Sequence, residues 1–230
     1  MQTKRILVIM AHPDDAEISC GGTVARWAKE GKEIRYLICT SGEKGTKDPT
    51  VSPHSLAEKR EQEQLRSAKI LGVKKISFLR HKDGELRDRQ ALRNDISLLI
   101  RGFKPDIVVT QDPWRIYELH PDHRECGFAV CDAVVAARDH LFLPALQDVG
   151  LDAHGPREIY FCFPEKPDMV IDITDFMPIK LSALSQHKTQ TERVPDWKER
   201  IIKINTRMAE KENFKYGEAF KRLILTSKKL

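Results

Sequence analysis

Short, continuous apolar runs at residues 5–10, 33–40, 75–79 and 106–110 alternate with longer amphipathic stretches at 18–29, 54–71 and 89–101. The runs read as strands buried on both faces, and the stretches between them as helices that cover those faces. Each helix is followed by a glycine or proline stop signal: Gly31, Gly72, and Gly102 with Pro105. A further helix is predicted over 120–138, with Pro121 in its first turn, where a missing N–H costs little. This order predicts an α/β protein with a mostly parallel sheet and, by default, right-handed doubly wound crossovers. After residue 140 the pattern loosens and is punctuated by Pro144, Gly150, Gly155, Pro156, Pro164 and Pro167. Two strands are predicted there at 158–163 and 168–173, then helices at 176–188 and 195–211, and a last alternating piece at 219–226.

A chain of 230 residues fits one large domain spanning 1–230, with a core over about 1–140 and the remainder adding loops, strands and helices. Lysine and arginine number 39 against 34 acidic residues, a net charge of +5, and the two signs are interspersed apart from a mildly basic end at Lys221, Arg222, Lys228 and Lys229. There is no basic stripe with interleaved aromatics, so nucleic-acid binding is not expected. The 5 cysteines are scattered and never spaced Cys-x-x-Cys, which predicts neither a disulfide framework nor a thiolate metal site. The first strand begins within six residues, with no leader-like segment and no apolar run long enough to span a bilayer; a soluble, cytoplasmic setting is expected.

The chemistry gathers at two strand ends. His12-Pro13-Asp14-Asp15 follows directly on the run Ile6-Leu7-Val8-Ile9-Met10, and Pro13 both removes a ladder donor and biases His12 toward extended backbone. The strand therefore stops there, and the neighbouring carboxylates lie on a turn, pointing different ways. His120-Pro121-Asp122-His123 lies just past the strand at 106–110. C-terminal ends of parallel strands share one edge, so both segments converge in space. His120 and His123, three residues apart at a helix start, present their rings on one side. Two imidazoles and a carboxylate suit a catalytic zinc ion with one position left for water, although other divalent transition metals share these ligands. A metal-assisted hydrolase is the reaction class, with one aspartate as ligand and the other as base; spacing leaves their order open.

His12-Pro13-Asp14-Asp15 with Cys20-Gly21-Gly22, Ser41-Gly42-Glu43, Arg60 with Glu63, Leu71-Gly72, and His120-Pro121-Asp122-His123 together resemble the PIG-L/LmbE-like zinc-dependent N-acetylglucosaminyl deacetylases. The resemblance implies a Rossmann-like three-layer α/β/α sandwich and a homo-oligomer, trimer or hexamer. It implies zinc on His12, Asp15 and His123, Asp14 as general base, and His120 as a protonated oxyanion partner held by Asp122. Arg60 would bind the sugar, and Glu43, Trp114 and His187 would line the substrate site, Trp114 by stacking on a sugar ring. Glu63 has the plainer reading of pairing with a nearby arginine, and Asp83-Gly84-Glu85-Leu86 that of a turn beside the site. The expected activity is removal of the N-acetyl group from a 2-acetamido sugar. Two alternatives stand beside it. One is an amidase of a thiol-conjugated glucosaminide or another N-acyl amide, distinguished by residues 114–119 and the loop after 140; the other is a sugar-binding protein without turnover, which has no need of Asp14.

Overall fold

The computed structural model describes residues 4–225. Strands β1 (Arg5–Met10), β2 (Glu33–Thr40), β3 (Lys75–His81), β4 (Ile107–Gln111), β5 (Glu158–Cys162), β6 (Met169–Asp172) and β7 (Gly217–Ile224) form one sheet in the order β3-β2-β1-β4-β5-β7-β6. The first five pair in parallel, and β7 runs antiparallel to both β5 and β6. The helices are α1 (Asp15–Lys29), α2 (Pro53–Leu71), α3 (Arg89–Phe103), α4 (Pro121–Arg138), α5 (Ala145–Asp148), α6 (Met177–Leu184), α7 (Lys188–Thr191) and α8 (Trp197–Met208).

Side-chain alternation along the buried strands divides the core into two layers. Ile6, Val8 and Met10 of β1 face a cluster with α1 and α2, through Val24, Trp27, Ala68 and Leu71. Leu7 and Ile9 face the opposite cluster, with Leu92 and Ile96 of α3 and Ala129 and Val130 of α4. This is the three-layer α/β/α sandwich. Chain order reverses direction across the sheet between β1 and β4, since β1 continues to β2 on one side and β4 to β5 on the other. That switch point is where an open α/β sheet keeps its crevice.

Most of the first five strands and the helices between them fall within a few residues of the sequence pattern. The departures have local causes. Helix α1 starts at Asp15 rather than residue 18, because Asp14 takes a left-handed conformation (φ 96°) and its carbonyl accepts the first helical N–H, from Ile18. Gly102 does not stop α3; the chain turns at Lys104, with φ 55°. The single helix expected over 176–188 is broken into α6 and α7, with His187 at the start of the second. Of the sequence-predicted features, Thr226, Lys228 and Lys229 lie outside the described residues. No helix among the described residues is long and apolar enough to cross a membrane.

Helix α1 is kinked at Cys20 (φ −144°, ψ 17°), and a fully buried ion pair fills the break. Glu218 on β7 accepts from the backbone N–H groups of Gly22 (2.9 Å) and Thr23 (2.7 Å), capping the second half of the helix from a distance. Lys180 on α6 donates to Glu218 (2.6 Å) and to the carbonyl of Ile18 (2.9 Å), closing the first half. Gly22 has no room for a side chain, since a Cβ there would lie 2.7 Å from Ile173. Glu218→Ala strands the Lys180 ammonium in the core and is expected to lower unfolding free energy by about 3–5 kcal/mol. Urea denaturation measures this, and a loss below about 1 kcal/mol would show that the kink does not depend on the pair.

Candidate metal centre and active site

Asp14 and Asp15 leave β1 on a strained turn. A non-glycine residue at positive φ costs about 1–3 kcal/mol and persists only where its surroundings hold it. Here the Asp14 N–H donates to Gln64 (3.0 Å), while Arg60 donates to the carbonyl of Pro13 (2.6 Å) and to Asp14 Oδ2 (3.1 Å). The two carboxylates thereby separate, one toward Arg60 and one toward the histidines.

His12 Nδ1 lies 3.3 Å from His123 Nε2, and the Asp15 carboxylate lies 3.3 Å from each, through Oδ2 to His12 and Oδ1 to His123. Tetrahedral N and O ligands at about 2.0–2.2 Å from a zinc ion stand about 3.3–3.6 Å apart, so the spacing fits a small divalent cation. The other face of His12 orients the ring for an ion. Nε2 faces Asp83 Oδ1 (3.1 Å) and Asp122 Oδ2 (3.2 Å), both acceptors, so with an ion on Nδ1 the ring proton would sit on Nε2. Two overlapping groups, His12 with His120 and His123 and His12 with Asp83 and Asp122, have donor atoms close enough to hold an ion.

The surrounding charges are strongly biased. Burial would lower the His12 imidazole, but the carboxylates of Asp122, Asp15 and Asp83 outweigh it and hold it well above its ordinary value. Burial alone would raise Asp15; His123 and His12 keep it well below the usual carboxylate range. Asp83 is brought down to about 2 by the hydrogen bond and charge of His12, against the pull of burial. Asp14 moves the other way. Burial raises it and the Asp15 charge adds to the rise, while Arg60 opposes.

A cavity of about 400 Å³ opens over this cluster, lined by His12, Asp14, Asp15, Arg60, His120 and His123 together with Lys44, Gly45, Asp83, Gly84, Pro121 and Gln190. The structure therefore brings His12, Asp14, Asp15, Arg60, His120 and His123 to one place. It changes the surroundings expected for several others. Asp122 makes no hydrogen bond to His120: fully buried, it accepts from His12 Nε2 and from the N–H groups of Gly84 (2.6 Å) and Leu86 (3.3 Å). The His120 ring instead stacks on His123 (4.7 Å between centroids) and meets His12 edge-on (4.5 Å). Burial and the charges of His12 and His123 push its proton affinity below the ordinary value, while the carboxylates of Asp122 and Asp83 oppose.

Arg60 is buried on α2, not part of a solvated face, and donates to Gly42 O, Pro13 O and Asp14. Its guanidinium occupies the space that a side chain on Gly42 (φ 63°) would fill. Glu63 pairs with no arginine; it accepts from the N–H (2.9 Å) and hydroxyl (2.6 Å) of Thr189. Glu43 does not line the cavity and accepts from Asp83 N–H (2.8 Å), steadying that loop. His187 is fully buried beside Glu17 (3.4 Å) and does not line the cavity. Trp114 lies outside the cavity, its ring edge-on to Phe128 and Phe161 (5.5 Å each).

Sequence reasoning passed over four participants. Asp83 sits in the turn read as bordering the site. Gln111, the last residue of β4, donates to Asp15 Oδ2 (2.9 Å) and accepts from Ala11 N–H (3.2 Å); a polar residue ending a buried strand at the shared edge was the available signal. Lys44 and Gln190 carry no such mark, since each reaches the cavity from a loop or short helix placed by distant contacts.

A doubly wound α/β sheet with imidazole and carboxylate donors gathered at its switch point defines an α/β protein with a metal-binding centre. Residues 7–134 match the family model described as PIG-L: GlcNAc-PI de-N-acetylase. The chain belongs to this PIG-L family, whose deacetylases are metal-dependent. It is 42% identical over 187 residues to a diacetylchitobiose deacetylase of Thermococcus kodakarensis, covering 81% of this chain and 70% of that one. It is 30% identical over 201 residues to a probable N-acetyl-alpha-D-glucosaminyl L-malate deacetylase 2 of Bacillus subtilis, covering 82% and 84%. The structure of an N,N'-diacetylchitobiose deacetylase from Pyrococcus horikoshii, complexed with its inhibitor, superposes with a TM-score of 0.92 at 36% identity, over 97% of this chain and 85% of that chain.

Proposed function

We propose that this protein is a metal-dependent hydrolase that removes the N-acetyl group from 2-acetamido sugars, with zinc held by His12, Asp15 and His123. The observation that carries the reading is the set of 3.3 Å separations among those ligands, with Asp14 and His120 lining the same cavity. A zinc ion bound there supplies Lewis-acid polarisation of the amide carbonyl and activation of a water molecule.

The protein's own groups do the remainder. Asp14 is a carboxylate whose Oδ2 is tied to Arg60, and burial raises its proton affinity, as suits a group that takes a proton from water and returns it to the departing amine. Arg60 acts as a clamp on Asp14 and the Gly42 loop. His120 can donate an N–H to the carbonyl oxygen as negative charge develops. Asp122 and Asp83 orient the His12 ring with Nδ1 toward Asp15 and His123. The substrate class follows from the relatives, which are named for N-acetylglucosamine compounds. The implied homo-oligomer is supported by the exposed apolar side chains Ile116, Tyr117 and Leu119, on the loop before α4.

The test is amine release from N-acetylglucosamine and diacetylchitobiose by metal-loaded and chelator-treated protein, with elemental analysis of the purified protein. Release that vanishes on chelation and returns with zinc is expected. Absence of metal-dependent release from every 2-acetamido sugar tried would falsify the assignment.

A further inference from the structure

The cavity presents one arginine and one lysine, and both are already engaged. Arg60 spends its guanidinium on Gly42 O, Pro13 O and Asp14. Lys44, on the loop after β2, places its Nζ near Gly84 and donates to Glu85 Oε1 at 2.7 Å. Lys44 and Glu85 are each about half exposed, so their ion pair stands at the rim of the cavity rather than in its floor. Just outside the cavity lining, Arg193 donates to the carbonyl of Gly45. The floor carries three carboxylates, Asp14, Asp15 and Asp83.

On the deacetylase reading, the acetamido group must reach Asp14 and His120, so the rest of the substrate extends out past this rim. We propose that the Lys44–Glu85 pair selects for substrates whose remaining portion is an uncharged saccharide and against those that carry a carboxylate there. An anionic group arriving at the rim meets a lysine whose charge is already matched by Glu85 at 2.7 Å. A neutral saccharide needs only hydrogen-bond partners, which Lys44 Nζ and the Gln190 amide oxygen provide, the Gln190 nitrogen being held by Gly45 O (3.1 Å). Glu85 is thus the discriminating residue: without its charge, Lys44 becomes a free cation at the rim.

The test compares kcat/KM for two probes, diacetylchitobiose as the neutral substrate and the N-acetylglucosaminide of malate as the anionic one, with zinc-loaded wild type, Glu85→Gln, and Glu85→Gln combined with Lys44→Met. Wild type is expected to favour the neutral probe. In Glu85→Gln the anionic-to-neutral ratio rises about tenfold at low salt, and the rise shrinks as ionic strength screens the freed lysine. The double variant returns the ratio to the wild-type level, which separates release of the Lys44 charge from simple widening of the rim. A ratio unchanged by Glu85→Gln, or one that stays raised in the double variant, overturns this inference and leaves the deacetylase reading intact. Failure of the wild type to hydrolyse both probes overturns this inference, and absence of release from every other 2-acetamido sugar as well overturns the deacetylase reading with it.

Discussion

Asp14→Asn is expected to lower kcat by about 10²–10⁴-fold while metal content stays at the wild-type level. Asparagine keeps the size of the side chain and an oxygen for Arg60, and it tolerates the left-handed backbone better than most residues, so the turn at φ 96° survives. What it loses is the ability to take up a proton. Rate measurements on 2-acetamido sugars with elemental analysis of the same preparation separate the two effects, and full turnover with metal retained would move the base elsewhere. In the wild type the working form is the carboxylate. Because burial and the Asp15 charge raise its proton affinity, activity is expected to fall as pH is lowered, beginning above the ordinary carboxylate range.

The second large effect is expected from His123→Ala, which removes one of the three ligands outright and should leave protein without stoichiometric metal and without measurable turnover. Asp122→Asn makes the informative contrast. As the acceptor that orients His12, Asp122 should cost about 10–100-fold in metal affinity, with activity regained as metal is added. If the ion instead sat among His12, Asp83 and Asp122, the order would invert: Asp122→Asn would abolish binding and His123→Ala would spare much of it. Metal-titration calorimetry on the two variants distinguishes the arrangements.

The accessory residues show where reading from sequence stops. Arg60 lies in the run Glu58-Lys59-Arg60-Glu61-Gln62-Glu63, which reads as a solvated helix face, yet Arg60 and Glu63 are buried while Glu58, Lys59 and Gln62 are not fully so. Helical phase places Arg60 and Glu63 on one side, three residues apart, but only the packing of α2 beside the β1 turn sets that side toward Asp14. His187 carried a motif-like signal and is sealed against Glu17. Asp122, lying between His120 and His123 in the sequence, hydrogen-bonds neither of them and instead supports His12 from another strand end.

The sequence by itself determined the sheet-and-helix order, the strand end at Pro13, and the meeting of the His12-Pro13-Asp14-Asp15 and His120-Pro121-Asp122-His123 segments, because hydrophobic period and the shared edge of parallel strands are properties of the local pattern. The tertiary structure decided the partners: which nitrogen of His12 faces Asp15 and His123, that His120 packs against the rings of His12 and His123, that Arg60 clamps Asp14, and that Lys44 and Glu85 pair at the rim. These depend on distances between segments far apart in the chain and on the burial that sets each proton affinity, and no spacing along the sequence encodes either.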